Sequence, residues 1–358
     1  MKTKAAVLYE LNQPLQIEEL TLPTLKPGQV LVEITHSGVC HSQLLEARGK
    51  RGQDRFLPHT MGHEGAGIVR EVGSGVKKVR EGDRAVLSWI KGSGADIPST
   101  QYQGSHGIVN SGAISTFLQY GIISENRLTP IPETMPLREA ALLGCAIPTG
   151  AGIVLNTLQV RPGSSVVIFG VGGIGLSAVL AANLMNATLI IAVDIFDHKL
   201  EQAKALGATH AINAQTQDVQ QVLEELTGGK GVDYAIEAAG RRQTMEMAIS
   251  SVCAPGGLAV LAGNLPAGER ISLDPFDLIR GKRVLGTWGG ETNPDRDIPR
   301  YVTLYQAGKL PLEKMITDSY SLDEINSALG DLESGRVGRA VISNCSFKRD
   351  DQYIKGYQ

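Results

Sequence analysis

The sequence has few cysteines, and they lie far apart. The four are Cys40, Cys145, Cys253 and Cys345, and no two of them form a Cys-x-x-Cys pair. A chain of 358 residues can bury a core without disulfides, so a disulfide-stabilised fold is not expected. The thiols are predicted to be reduced or to bind a metal ion, and the residues around them must decide between these roles.

The chain also lacks an excess of positive charge and a long hydrophobic run. Its 34 Lys and Arg against 37 Asp and Glu give a formal net charge of −3, without the excess that drives binding to a phosphate backbone, so no nucleic-acid partner is expected. The first apolar run ends at Glu10, too early for the core of a signal peptide, and no later run approaches the roughly 18 residues of a membrane span. We expect a cytoplasmic protein with no membrane partner.

What is present indicates two domains, since the length is about twice that of a usual domain. Up to about residue 147, short β-branched runs cut by glycine and proline predict a sheet or barrel. After Pro148, apolar strands alternate with glycine turns and amphipathic helices, which predicts a doubly wound α/β domain with a parallel sheet. Residues 92–107 are polar and glycine-rich and are predicted to form a flexible surface loop. The tail from Ser346 is polar and shows no core face.

A glycine motif opens the second half of the chain, and its members are Gly170, Gly172, Gly173, Ile174 and Gly175. It lies between a predicted strand and an apolar helix, which is the context that makes such a motif typical of dinucleotide binding. In that role the first glycine allows the turn, the second lets the backbone meet a pyrophosphate, and the last lets helix and strand approach. The helix N-terminus supplies amide donors to the anion.

Asp194 ends the next predicted strand, nineteen residues after Gly175. A carboxylate there accepts hydrogen bonds from ribose hydroxyls and repels a 2′-phosphate, which favours NAD over NADP. The alternative is that Asp194 is only a polar strand end or the cap of the next helix. Lys199 would reach the same ribose or be solvated.

Cys40, His63 and Cys145 form a second candidate group. Two thiolates and one imidazole are three ligands, the number that leaves the fourth position of a catalytic zinc open, whereas structural zinc sites have four. From residue types alone, Cys145 would equally well be a small buried side chain and His63 a hydrogen-bonded core histidine.

Five segments carry a family resemblance: GVCHS from Gly38, GHEGAGIVREVGSGV from Gly62, EGDRAV from Glu81, GCAIPTG from Gly144, and GVGGIG followed by Asp194. In this order they resemble the zinc-dependent alcohol dehydrogenases of the medium-chain dehydrogenase/reductase superfamily, from residue 4 to about residue 343. The resemblance implies an α/β protein with a GroES-like, mostly-β catalytic domain, 1–146 and 287–358, and a Rossmann NAD-binding domain, 147–286.

The resemblance also implies roles for individual residues. Cys40, His63 and Cys145 would bind one catalytic zinc, and Glu64 would be a neighbouring carboxylate that transiently ligates it. Ser42 would hydrogen-bond the substrate hydroxyl and start the exit of its proton, since a hydroxyl both donates and accepts. Its alternative role is to cap the helix that begins near residue 43.

Three further roles come from the same resemblance. His41 and Arg339 would lie near the cofactor pyrophosphate, and Trp89 would line the substrate cleft. The alternatives are that Trp89 is core and His41 solvated. The histidines without a matching motif are predicted to be structural or exposed, namely His36, His59, His106, His198 and His210.

The sequence departs from the family pattern at three places. Cysteines that bind a second, structural zinc in some members would fall in residues 92–107, which contain none, so one zinc per subunit is expected. Gln43 replaces an aspartate near the zinc, which removes a carboxylate and makes the site more positive. Leu45 replaces the histidine that ends the proton relay, so the proton would leave through ribose hydroxyls and water.

These observations predict an NAD-dependent zinc alcohol dehydrogenase. Without the cysteine lobe the cleft edge is open to a bulky polyol, sugar or cyclitol, which we take as a hypothesis for the substrate. The alternatives are a thiol-dependent formaldehyde dehydrogenase-like enzyme, a zinc-free quinone or enoyl reductase, and a non-catalytic nucleotide-binding protein. The family resemblance further suggests a homo-oligomer, either a dimer or a tetramer.

Overall fold

Three sheets organise residues 1–344, the part of the chain that the computed structural model describes. In chain order the strands are β1 (Lys2–Leu8), β2 (Gln16–Thr21), β3 (Gln29–Gly38), β4 (His59–Thr60), β5 (Glu64–Val72), β6 (Arg84–Ser88), β7 (Ser99–Gly104), β8 (Gly107–Gly112), β9 (Tyr120–Ser124), β10 (Leu128–Ile131), β11 (Ser165–Phe169), β12 (Leu189–Asp194), β13 (His210–Asn213), β14 (Tyr234–Glu237), β15 (Leu258–Leu261), β16 (Arg283–Gly286), β17 (Asp318–Ser321) and β18 (Ala340–Ser343). The α-helices are α1 (His41–Ala47), α2 (Leu137–Ala140), α3 (Ala146–Gly152), α4 (Gly173–Leu184), α5 (Asp197–Ala205), α6 (Val219–Thr227), α7 (Arg242–Ser251), α8 (Pro275–Ile279), α9 (Pro294–Gln306) and α10 (Ile325–Glu333).

The first half of the chain forms a closed barrel in the order β1-β2-β7-β8-β4 and a second sheet in the order β10-β6-β5-β3-β18-β17, with β9 also paired to β3. Strand β3 runs antiparallel to β5, with Ser37 opposite Gly65. The chain returns to this sheet near its end, since Val341 of β18 lies opposite Gly38. Residues far apart in sequence therefore meet at the end of β3. The polar tail from Ser346 lies outside the described residues.

The prediction of a flexible loop over residues 92–107 is wrong for its second half. Strands β7 and β8 pair along their length and belong to the barrel. Thr100 and Tyr102 are buried while their neighbours Ser99 and Gln101 are exposed. This is the two-residue alternation of a strand with one face on a core. The alternation is hard to recognise in the sequence because the inward Thr100 is polar, as are the outward Ser99 and Gln101.

The third sheet is parallel throughout, in the order β13-β12-β11-β14-β15-β16. Alternate side chains of β11 enter two different cores. Val166 and Ile168 pack with Leu176 of α4, while Val167 and Phe169 pack in the core that α6 and α7 cover. This is the strand order of a dinucleotide-binding sheet, whose ligands bind where the order reverses, here between β11 and β14. The prediction of a GroES-like β-domain with a doubly wound sheet is confirmed.

No single helix of the described residues is long and apolar enough to cross a membrane. One bent pair, Leu137–Gly144 with Ala146–Thr157, reaches the required length and composition, with a bend of 57°. Its apolar side chains, such as Leu142 and Ile147, are fully buried in the protein core.

Candidate functional site

Two thiols, one imidazole and one carboxylate converge at the ends of β3 and β5. Cys40, His63, Glu64 and Cys145 place their ligand atoms within 4.8 Å of one another. Cys40 directly precedes α1, His63 directly precedes β5, which Glu64 begins, and Cys145 directly precedes α3. A Cβ at Gly144 would lie 2.2 Å from the Leu87 carbonyl oxygen and 2.8 Å from the Glu64 Cα. Glycine at that position therefore lets Cys145 reach the other ligands.

The electrostatics of this group suit a cation. The hydrogen bond from Cys145 is the largest influence on Cys40 and, with the nearby His63 and Arg339, holds the pKa of the Cys40 thiol well below its usual value despite its burial. The bond to Cys40 and burial raise the pKa of Cys145 well above its usual value. These opposite shifts favour one thiolate beside one thiol, and a bound metal ion would favour the thiolate form of both. Two sulfurs and an imidazole at these distances fit zinc.

Glu64 is bound to Arg339, and both groups lie beside Gly38. Both side chains are buried, at 0% and 5% exposure, and form an ion pair. Burial raises the pKa of Glu64, and Arg339 opposes that shift. Arg339 also donates to the Val39 carbonyl at 3.3 Å. A Cβ on Gly173 would lie 2.9 Å from the Arg339 guanidinium, so this arginine connects the metal ligands with the glycine motif.

The glycine motif lies beside a cavity of about 300 Å³. Gly170 adopts φ = +83° and a Cβ there would strike Ala239 at 2.7 Å, while a Cβ on Gly175 would lie 2.0 Å from the Gly170 carbonyl oxygen. A Cβ on Gly172 would meet no atom of the described residues. Because Gly172 faces open space at the switch point of the sheet, the backbone there fits the close approach of a dinucleotide pyrophosphate. Ile174 lines the same cavity.

Asp194 and Lys199 line this cavity as well. The Asp194 carboxylate accepts a hydrogen bond from the Val171 backbone N–H at 2.9 Å and another from the Ile195 N–H at 2.8 Å. It braces the glycine turn and does not cap α5, whose N-cap residue is Phe196. Burial lowers the pKa of Lys199, and the Asp194 carboxylate opposes that shift.

Helix α1 connects the metal ligands with both ligand cavities. His41 is exposed within the smaller cavity, whose wall also includes Leu45 and Arg339. Ser42 lines this cavity and a larger one, and its hydroxyl donates to Cys40 Sγ at 3.3 Å. The alternative that Ser42 caps the helix is wrong, because the N-cap residue is Cys40 and no side chain caps this end.

The larger cavity has a volume of about 530 Å³ and begins at the metal ligands. Trp89 lines it and contacts Trp288 edge to face, with ring centroids 5.0 Å apart. Met61 and Ile114 add apolar surface, and the polar part of the lining includes Ser99, Asn110 and Ser111. Trp89 therefore lies in the wall of the larger cavity, and its indole N–H has no partner within residues 1–344.

Gln43 fills the space behind His63. Its amide nitrogen lies 2.8 Å from His63 Nδ1, and its amide oxygen accepts from the Gly62 N–H at 2.5 Å. The same amide nitrogen lies 3.4 Å from the carboxylate of Glu46. Position 43 thus has no carboxylate, but the Glu46 carboxylate lies behind the Gln43 amide, farther from His63.

Several cavity residues were missed by the sequence analysis. His59, predicted to be structural or exposed, is buried and belongs to the wall of the larger cavity, as do Glu46, Trp288 and Thr149. The Thr149 hydroxyl is buried and has no partner in the described part of the chain. The one sequence signal that could have identified His59 as a cavity residue is its position four residues before His63. The remaining histidines without a motif are absent from both cavities.

Comparisons with known proteins agree with this geometry. Residues 26–133 match the alcohol dehydrogenase GroES-like domain family, and residues 173–307 match the zinc-binding dehydrogenase family. The chain is 36% identical to the S-(hydroxymethyl)glutathione dehydrogenase of Synechocystis sp., over 96% of this chain and 100% of that protein.

Solved structures agree as well. Benzyl alcohol dehydrogenase from Acinetobacter calcoaceticus is 33% identical with a TM-score of 0.87, covering 96% of this chain and 99% of that one. A zinc-binding dehydrogenase from Sinorhizobium meliloti, solved with NADP, is 26% identical with a TM-score of 0.78, at 96% and 99% coverage. The chain therefore belongs to the zinc-dependent alcohol dehydrogenase family of the medium-chain dehydrogenase/reductase superfamily, and it is an oxidoreductase that acts on alcohol groups.

Proposed function

We propose that this enzyme is an NAD-dependent zinc alcohol dehydrogenase whose substrate is a bulky polyhydroxy alcohol, such as a polyol, sugar or cyclitol. The observation that carries this proposal is that the two cavities meet at the metal ligands. Cys40, Ser42, Cys145 and Ile174 line both of them. An alcohol in the larger cavity and a dinucleotide in the smaller one would therefore have their reacting ends side by side, as hydride transfer requires.

Cys40, His63 and Cys145 would hold one zinc ion per subunit, with the Glu64 carboxylate as a neighbouring group. When bound, zinc acts as a Lewis acid that polarises a hydroxyl oxygen and favours its alkoxide. The Ser42 hydroxyl is 3.3 Å from a ligand sulfur, so it would accept the proton of the substrate hydroxyl. Because Leu45 offers no base, the proton would leave from Ser42 toward the smaller cavity and its solvent.

NAD would bind with its pyrophosphate at Gly172 and Gly173, near His41 and Arg339. Its adenosine ribose would lie at Asp194, where a carboxylate accepts hydroxyl donors and repels a 2′-phosphate. One relative was solved with NADP, so the preference of this enzyme for NAD is a prediction to be tested. Lys199 stands close enough to Asp194 to add a donor to the same ribose.

The larger cavity, about 530 Å³, is far roomier than a short alcohol needs and falls in the size range of ligand pockets. The polar side chains in its lining favour a substrate with several hydroxyls. A second candidate is thiol-dependent formaldehyde oxidation, favoured by the relative that oxidises S-(hydroxymethyl)glutathione and by Arg51 in the cavity wall. A guanidinium there would suit a glutathione carboxylate.

A homo-oligomer is part of the proposal. Strand β16 is the outer strand of the parallel sheet, so one row of its backbone groups is open for pairing. Phe276, Ile279, Leu285 and Trp288 are all more than 40% exposed around it, with Ile279 at 77% and Trp288 at 75%. A second copy presenting the same strand would pair antiparallel across a twofold axis and cover this surface. We retain 1–146 with 287–358, and 147–286, as the proposed domain bounds.

The test is elemental analysis of zinc together with a panel of alcohols. We expect one zinc per subunit in protein never exposed to chelator, its loss in Cys145→Ala, and oxidation of polyols with NAD in preference to NADP. Turnover restricted to formaldehyde with glutathione would select the second candidate. Absence of zinc, or two zinc ions per subunit, would contradict the proposed site, and absence of any alcohol turnover despite bound zinc would contradict the proposed function.

A further inference from the structure

We propose that Glu46 is a specificity-determining residue that accepts a hydrogen bond from a second hydroxyl of the substrate, about one helical turn from the reacting hydroxyl. The inference deepens the proposed function and rests on it. It follows from the place of Glu46 on α1, from the partners of the charged groups around it, and from the shape of the cavity.

The helix sets the spacing. Ser42 and Glu46 are four residues apart on α1 and line the same cavity. Side chains at that spacing lie on one face of a helix, with Cβ atoms about 5–6 Å apart. A substrate whose reacting hydroxyl is at Ser42 therefore has Glu46 within reach of a hydroxyl several bonds away. A hydroxyl on the opposite carbon of a six-membered ring has a comparable separation.

Glu46 has acceptor capacity to spare, unlike the neighbouring carboxylate of Asp54. Its carboxylate lies 3.4 Å from the Gln43 amide, 3.8 Å from Arg51 and 3.9 Å from His59 Nε2. All three contacts are longer than a good hydrogen bond, and a carboxylate has about four acceptor sites. Its side chain is 28% exposed, and that exposure includes the cavity.

Asp54 and His59 already hold each other. His59 Nε2 lies 2.7 Å from the Asp54 carboxylate, and His59 Nδ1 donates to the Thr60 carbonyl at 3.0 Å. The other Asp54 oxygen accepts from the Phe56 N–H at 2.8 Å. These bonds hold Asp54 and His59 in place behind Glu46. Of the two carboxylates, Glu46 is therefore the one available to accept a hydrogen bond from a ligand in the cavity.

The remaining walls suit a ring rather than a flexible anion. Trp89, Met61 and Ile114 present apolar surface to the same cavity, which would cover ring carbons while Glu46 takes a hydroxyl. Glu46 would repel an anionic substituent placed against it, because a partly buried carboxylate is screened less than an exposed one, whereas Arg51, 3.8 Å away, would attract one and is the group that favours the second candidate function. The class of substrate is therefore a cyclic polyol with a hydroxyl opposite or nearly opposite the reacting carbon.

The experiment compares cyclohexanol with trans-1,4-cyclohexanediol on the zinc-loaded wild-type enzyme, Glu46→Gln and a surface control, Glu71→Gln. Glu71 is exposed and outside both cavities. We expect the wild-type enzyme to prefer the diol. We expect Glu46→Gln to lower kcat/KM for the diol by about ten- to a hundredfold, the range for a lost charged hydrogen bond, mostly through KM. The value for cyclohexanol should stay unchanged, as should both values in Glu71→Gln.

The outcomes separate this inference from the proposed function. If the wild-type enzyme oxidises neither alcohol nor any other polyol, the proposed function fails first. If it oxidises both but Glu46→Gln lowers both equally, the function stands and the inference is wrong, because Glu46 then acts through Gln43 on His63. A second equivalent of zinc that is lost in Glu46→Gln would also overturn it, in favour of a cation held with Asp54 and His59. Should Glu46→Gln fail to fold, Glu46→Asp keeps the charge one methylene farther away and should show the same selective loss.

Discussion

Replacing Arg339 by methionine should destabilise the protein and reveal whether the arginine serves the fold, the cofactor or both. Methionine keeps much of the side-chain length but removes the guanidinium. The Glu64 carboxylate would then stay buried at 0% exposure without its ion-pair partner. Its other described contact is the Ala146 N–H at 3.4 Å, which is too long to replace an ion pair.

The size of the loss follows from that burial. Removing one partner of a buried ion pair costs about 3–5 kcal/mol, because the remaining charge is uncompensated. Replacing both charges by neutral groups of similar volume is often close to neutral. Arg339→Met combined with Glu64→Gln should therefore have a higher free energy of unfolding than Arg339→Met alone, although it carries one more substitution.

The assay is urea unfolding of the wild type, both single variants and the double variant, followed by tryptophan fluorescence, with the zinc content of each sample measured. The binding of NADH to the same four proteins gives a second readout. Because Arg339 lines the smaller cavity, where we propose that the dinucleotide binds, the double variant should recover stability without recovering NADH affinity. If the losses of the two single variants simply add in the double variant, the two side chains are not coupled and the reasoning from the buried pair is wrong.

Three further predictions concern other residues. Asp194→Ala should lower the ratio of kcat/KM with NAD to that with NADP by tenfold or more, about 1.4 kcal/mol, and an unchanged ratio would show that this carboxylate does not exclude the 2′-phosphate. Tyr102→Phe should lower the free energy of unfolding by about 1–3 kcal/mol, because the Ile122 N–H that now donates to the tyrosine hydroxyl at 3.0 Å would be left buried and unpaired; a value within error of wild type in urea titrations would contradict this. Burial, with Arg138 nearby, lowers the pKa of His36 from 6.5 to about 4. Between these pH values His36 binds a proton in the unfolded chain but not in the folded protein, so the free energy of unfolding should fall as the pH drops from 6.5 toward 4. Titrations at a series of pH values should show a shallower loss in His36→Gln than in wild type, and equal slopes would count against it.

The parts of the site that were predictable are those whose chemistry is contained in a few consecutive residues. The glycine motif is the clearest case, since Gly170, Gly172 and Gly175 each have a geometric reason that acts within the strand, turn and helix they occupy. The three metal ligands needed the neighbouring residues, because lone cysteines and histidines have several equally common roles. In both cases the structure brings together what the sequence analysis grouped.

The parts that could not be predicted depend on chain crossings. Trp288 follows the last strand of the parallel sheet, yet it contacts Trp89 of the first half in the wall of the larger cavity. Glu46 and His59 face that cavity because α1 and β4 meet there, and nothing in the local sequence encodes that meeting. The barrel strand β7 was missed for a different reason, since its inward Tyr102 is surrounded by polar residues.

The pairing of β18 with β3 also sets an order of events during synthesis. Arg339, which directly precedes β18, is 275 residues beyond its partner Glu64. At about 5–20 residues per second, a ribosome would need roughly 15–55 s to make the chain between them. The parallel sheet is synthesised in that interval and can fold, whereas the Glu64 carboxylate has no ion-pair partner until Arg339 has been made. The metal ligands are thus synthesised early, and the ion pair beside them can form only after most of the protein has been made.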